Sequence, residues 1–98
     1  MMNPISNLNK VFESRVRLGI MSALMVNDSL DFNSLKELLE VTDGNLASHL
    51  KALEQNNMVA ISKQFVGRKP NTTYMVTNQG RIEFQQHLGA LEELLKMK

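Results

Sequence analysis

Hydrophobic residues fall into helical and then strand rhythms along most of the chain. Leu8, Val11 and Phe12 recur at i, i+3 and i+4, which predicts a weak amphipathic turn or two over residues 5–12, with Pro4 near the start. A stronger helix follows over residues 14–26, with Ser14 as its N-cap. Its Val16, Ile20, Ala23 and Leu24 share one face while Leu18, Met21 and Met25 fall on another, so the helix is apolar nearly all round. Such a helix is either central or covered by a second chain. Asn27-Asp28-Ser29 ends it, and Leu30-Asp31-Phe32 suits a very short strand. A third helix is predicted over residues 34–40, capped by Ser34 with Glu37 at capping-box spacing, or by Asn33, and buried through Leu35, Leu38 and Leu39. The glycine-containing turn Val41-Thr42-Asp43-Gly44 leads to a fourth helix over residues 45–56, capped by Thr42 or Asp43, with Leu46, Leu50 and Leu53 at i, i+4 and i+7.

The period then changes from helical to alternating. Val59, Ile61, Lys63 and Phe65 alternate with Ala60, Ser62, Gln64 and Val66, which reads as a strand over residues 58–66. Gly67-Arg68-Lys69-Pro70-Asn71 is a turn by composition, and residues 72–77 are again β-rich, so the two strands make a hairpin around a five-residue loop. Thr77 or Asn78 caps a long last helix, about 78–96, in which Phe84, Leu88, Leu91 and Leu95 step by 4, 3 and 4. That is the rhythm of a helix–helix seam. His87 and Leu94 lie beside it, while Ile82 points away, toward the hairpin. The fold class is α+β, mainly α, in a single domain over residues 1–98.

Composition narrows the reading. A chain of 98 residues holds one domain with a modest core, and 43% hydrophobic with 21% charged residues is an ordinary globular balance. Residues 18–26 form the longest nearly apolar run, well short of the about 20 residues of a membrane helix. No small-residue cleavage site follows that run, so the default location is the cytoplasm. Cysteine is absent, which excludes a disulfide framework, a thiolate metal site and a cysteine nucleophile. With only His49 and His87 as histidines, no metal site or other cofactor is expected. No nucleophile elbow, phosphate-cradling glycine loop or paired-carboxylate constellation points to an enzyme.

The net charge of +1 conceals segregation. Asp28, Asp31, Glu37, Glu40 and Asp43 stand against one lysine in residues 28–43, whereas Lys51, Lys63, Arg68, Lys69 and Arg81 stand against Glu54 alone in residues 44–81. Such a basic block is what an anion-facing surface needs. Two helices joined by a short glycine-containing turn, about residues 34–56, also make a helix-turn-helix candidate, whose second helix enters a DNA major groove. Opposite the buried leucines, that helix presents Asn45, Ser48, Lys51, Ala52 and Gln55 with no acid among them. Asn and Gln pair bidentately with adenine, Ser bonds base or phosphate, and Lys approaches guanine or phosphate. His49 sits at the border of the buried stripe, either packing with one hydrogen bond or touching a phosphate more strongly when protonated. Arg68 and Lys69 on the hairpin tip suit a narrow minor groove and a phosphate.

The stretches Thr42–Glu54, Gly67–Tyr74 and Val76–Arg81 together resemble a winged-helix transcriptional regulator, similar to small single-domain proteins related to the MarR and ArsR families. The resemblance runs from about Phe12 to Phe84. It implies a winged helix-turn-helix with a two-stranded hairpin wing at about 58–77 and a long C-terminal dimerisation helix. It further implies a homodimer on a near-palindromic operator, usually as a repressor. Thr42, Asn45, Ser48, His49 and Lys51 fall on the motif's DNA-facing or phosphate-facing places, with Gln55 on the same helix face and Arg68 and Lys69 on the wing tip. Leu18 joins Phe84, Leu88, Leu91 and Leu95 as candidate dimer contacts, because the first long helix has a second apolar face to cover. The cysteine or clustered ligands of ArsR-type metal sensors are missing, as are the extra helices that build an effector pocket in longer MarR-type proteins, so a small-molecule effector is not expected. The rival reading is a winged helix that contacts proteins only. It calls for aromatic or aliphatic anchors on the exposed helix face, and residues 45, 48, 51, 52 and 55 supply none.

Overall fold

In the computed structural model, which describes residues 3–97, two short 3-10 turns, Pro4–Asn7 and Lys10–Phe12, precede the first long helix. The side chains of Asn3 and Asn9 cap them. Helix α1 (Arg15–Met25) is capped by Ser14, whose Oγ accepts from the Arg17 amide. Strand β1 (Leu30–Asp31) runs straight into α2 (Phe32–Leu39), and α3 (Asp43–Gln55) completes the helix-turn-helix. Strands β2 (Val59–Val66) and β3 (Lys69–Val76) form the hairpin, and α4 (Asn78–Leu95) ends the fold. The sheet has three strands in the order β1-β3-β2, all antiparallel, so the predicted short strand is the hairpin's third member.

The core is the sum of the apolar stripes. Ile20, Met21 and Leu24 of α1 meet Leu35 of α2 and Leu46, Leu50 and Leu53 of α3, with Met58, Val59 and Tyr74 closing the sheet side. Helix α1 is therefore central, and its second face is used within the chain. Met21 is fully buried, and Leu18 packs half-buried against the same core.

Several local details differ from the sequence expectations, each for a physical reason. Asp31, not Ser34 or Asn33, caps α2, accepting the Ser34 amide at 2.7 Å. Asp is as good an N-cap as Ser or Asn, and β1 ends at Asp31 where its pairing with Thr73 stops, so the helix can begin at once. The bend between α2 and α3 is made by Glu40, at φ 53°, while Gly44 lies inside the first turn of α3. The hairpin loop is two residues rather than five, with Gly67 at φ 66° followed by Arg68. Glycine in the first of two central positions is what such a tight turn requires. Pro70 is tolerated opposite Phe65 because β1 pairs only with Thr73 and Tyr74, leaving the outer edge of β3 unpaired there.

The stripe on α4 splits in two. Phe84, expected on the dimer seam, belongs to the chain's own core, edge-to-face with Phe12 at 5.1 Å between ring centroids. His87 and Ala90 are buried on the same side, against the N-terminal turns. His87 Nδ1 accepts the Asn9 amide at 2.9 Å, and Asn9 Nδ2 donates to Glu83 at 3.1 Å. Leu88, Leu91 and Leu95 remain exposed on the neighbouring stripe, and Ile82 is exposed rather than packed on the hairpin. Thr77 caps α4, accepting the Gly80 amide at 2.8 Å. Its hydroxyl donates to Asn57 O at 2.6 Å, and its amide donates to Met58 O at 3.1 Å. The result is an elongated molecule of 56 × 25 × 21 Å with a radius of gyration of 14.9 Å. A compact domain of this length would have about 13 Å.

Candidate nucleic-acid interface

The outer face of α3 is set by its inner one. Leu46, Leu50 and Leu53 are buried, so at about 100° per residue Asn45, Ser48, Lys51 and Gln55 must project outward, and all four are exposed. Ala52 is half-buried rather than open. Thr42 holds the N-terminus of the helix, its Oγ1 accepting the Asn45 amide at 3.2 Å. Lys36 of α2 bridges to Asp43 at 2.7 Å across the turn. Both partners of that pair are well exposed, so it steers the turn more than it stabilises it. Asn45 also lines an open cleft of about 440 Å³ with Arg15, Leu39 and Val41.

His49 makes one hydrogen bond within the chain. It is half-buried, and Nδ1 accepts a hydrogen bond from Nε of Arg17 on α1 at 3.0 Å. Desolvation lowers its pKa, and the Arg17 charge lowers it further, so the ring is neutral at physiological pH. Arg17 is also held by Nη1 donating to Val11 O at 3.3 Å. Arg17 did not stand out in the sequence, because nothing in a local pattern links it to a histidine 32 positions away.

The second basic element is the hairpin. Arg68 and Lys69 are exposed at its tip, Lys63 is exposed along β2, and no acid occurs between Glu54 and Glu83. Beside these cations the hairpin exposes Phe65 and Val66, at 75% and 66% of their surface. The described structure thus holds α3, whose outward face carries no acid, and the acid-free hairpin as two projections from one core. Among the described residues, no group of three or more His, Cys, Asp or Glu is arranged to hold a metal ion. No helix among them is long and apolar enough to cross a membrane.

Comparison with known proteins matches residues 16–95 to the model of the winged helix DNA-binding domain. The chain belongs to this family. A transcriptional regulator homologue from Pyrococcus horikoshii OT3 shares 30% sequence identity with this winged helix domain and superposes with a TM-score of 0.87, over 97% of this chain and 96% of that one. An uncharacterised protein of Methanocaldococcus jannaschii, MJ0432, is 38% identical over 87 residues, covering 89% of this chain and 95% of its own. A MarR-family transcriptional regulator from Silicibacter pomeroyi, 16% identical, has the same fold with a TM-score of 0.71 over 93% of this chain and 60% of the regulator. The winged helix domain here is therefore a DNA-binding regulator of MarR-like fold and not an enzyme.

Proposed function

We propose that the protein is a cytoplasmic homodimeric repressor that reads a near-palindromic operator, with α3 in the major groove and the hairpin tip on the minor groove and adjoining phosphates. The observation that carries this reading is the acid-free outer face of α3 beside the cationic hairpin. A major groove about 12 Å wide admits one helix, and the polar, mostly small residues there allow close approach to base edges. Asn45, Ser48 and Gln55 read bases. Thr42, His49 and Lys51 contact the backbone, as do Arg68 and Lys69 at the wing.

The dimer is supported by Leu88, Leu91 and Leu95, three leucines at i, i+3 and i+7 that the chain's own core leaves exposed. Joining two copies through α4 covers them. It also lets two reading helices fall about 34–36 Å apart, on successive major grooves of one duplex face.

Replacing Arg68 and Lys69 by Ala is expected to weaken binding to every duplex and to flatten the salt dependence, by nearly one unit of log–log slope for each phosphate no longer neutralised. Substituting Asn45 or Ser48 is expected instead to change which sequence is preferred. Selection from a random duplex pool tests the whole reading, since a palindrome must emerge. The exposed Phe65 and Val66 favour one competitor, a wing that docks on another protein. That competitor predicts no enriched sequence from the pool.

A further inference from the structure

The Arg17–His49 hydrogen bond fixes more than a packing detail. A guanidinium Nε–H can only donate, so the imidazole nitrogen that meets it must carry a lone pair. With Nδ1 occupied as acceptor at 3.0 Å, a neutral ring carries its single proton on Nε2. Nε2 has no protein partner among the described residues, and no buried side-chain nitrogen there is left unpaired, so this N–H opens on solvent. His49 lies about 100° round α3 from Ser48, on the flank of the outward face and above the buried leucines. When a helix enters a groove, its centre meets base edges and its flank meets the phosphate strand. The guanidinium behind the ring is clamped at two points, His49 Nδ1 and Val11 O, and adds its positive charge to the same flank.

We propose that Arg17 is a positioning residue for DNA binding: it locks His49 as the Nε2–H tautomer, a neutral donor aimed at a backbone phosphate, with its own cation directly behind. The proposal rests on α3 being the reading helix. It brings α1 into the interface and replaces the idea of a histidine that grips phosphate by becoming charged. Arg17 from α1 is the charged group that acts on the ring, and its neighbours one turn away along α3 are the uncharged Asn45, Ala52 and Leu53, so no carboxylate is placed to favour the charged form.

Two measurements separate the parts. Ring-nitrogen NMR of the free protein at pH 7 is expected to show His49 with a bare Nδ1 and a protonated Nε2. In Arg17→Gln that signature relaxes toward an ordinary tautomer mixture, and Arg17→Lys, which keeps the charge but not the fixed Nε–H, does not restore it. A protonated Nδ1 in the unaltered protein overturns the proposal without reference to DNA. Duplex binding is the second measurement, on the sequence enriched from the pool. His49→Ala is expected to lower affinity about tenfold with no change in the slope of log K against log salt, because a neutral donor displaces no counterion. Arg17→Gln lowers affinity and also reduces the slope by about 0.9. The double variant is expected to fall by less than the product of the two single reductions. A slope change in His49→Ala shows a charged interaction and overturns the neutral-donor assignment. Unchanged affinity in both single variants overturns the phosphate role, while weakened binding in Asn45 and Arg68 variants in the same assay would leave the reading of α3 and the wing standing.

Discussion

His87 is an ionisable ring in an apolar place, between Phe12 at 5.4 Å and Phe84 at 6.4 Å, with Nδ1 accepting the Asn9 amide. Desolvation pushes its pKa down against a weaker upward pull from Glu13, and His49 is lowered as well. Both rings are held neutral in the fold, so as pH falls below the ordinary histidine value of about 6.5 the unfolded chain takes up protons before the folded one does. Stability should be flat above about pH 7 and decline as pH drops from there through the folded-state values. Thermal unfolding across pH 5–8 checks this, and His87→Gln, which retains an acceptor for Asn9 but cannot titrate, should leave a shallower acid limb. The half-buried state of His49 was legible from its place on the helix wheel. Its partner was not, since Arg17 reaches it only through the packing of α1 on α3.

Among the elements, caps and periods carried the sequence reading furthest. Ser14, Thr42 and Thr77 do cap α1, α3 and α4, because a hydroxyl before an apolar-periodic run has few better uses than the open amides of the first turn. The α4 stripe could not be resolved that way. Phe84, His87 and Ala90 face the N-terminal turns while Leu88, Leu91 and Leu95 face out, and both sets fit helical spacing. What separates them is a hydrogen bond such as Asn9–His87, 78 residues apart in the chain. Two glycines on this helix should respond oppositely to alanine. A Cβ on Gly80 would stand 2.1 Å from Met58 O, so Gly80→Ala should cost about 3 kcal/mol through a forced backbone shift. A Cβ on Gly89 meets nothing within 4 Å, so Gly89→Ala should gain about 1 kcal/mol from helix propensity alone. Denaturant melts of the two variants test both signs.

For the molecule as a whole, the architecture was readable because a helix-turn-helix, a hairpin and a terminal helix leave distinct periods in the sequence. The quaternary state was not, because an apolar stripe looks the same whether it meets its own chain or another. Leu88→Glu with Leu91→Glu should convert a dimer to single chains in sedimentation, with little loss of fold, since both side chains are already open to water. Affinity for a palindrome should fall steeply while weak half-site binding persists. The joint at Met58 then acquires a mechanical meaning. Its carbonyl takes the Thr77 amide and closes off the space above Gly80, so the root of β2 and the first turn of α4 meet without slack. In the proposed dimer α4 becomes a lever whose fulcrum is the base of the wing: tilting the paired helices would change the span between the two wing tips.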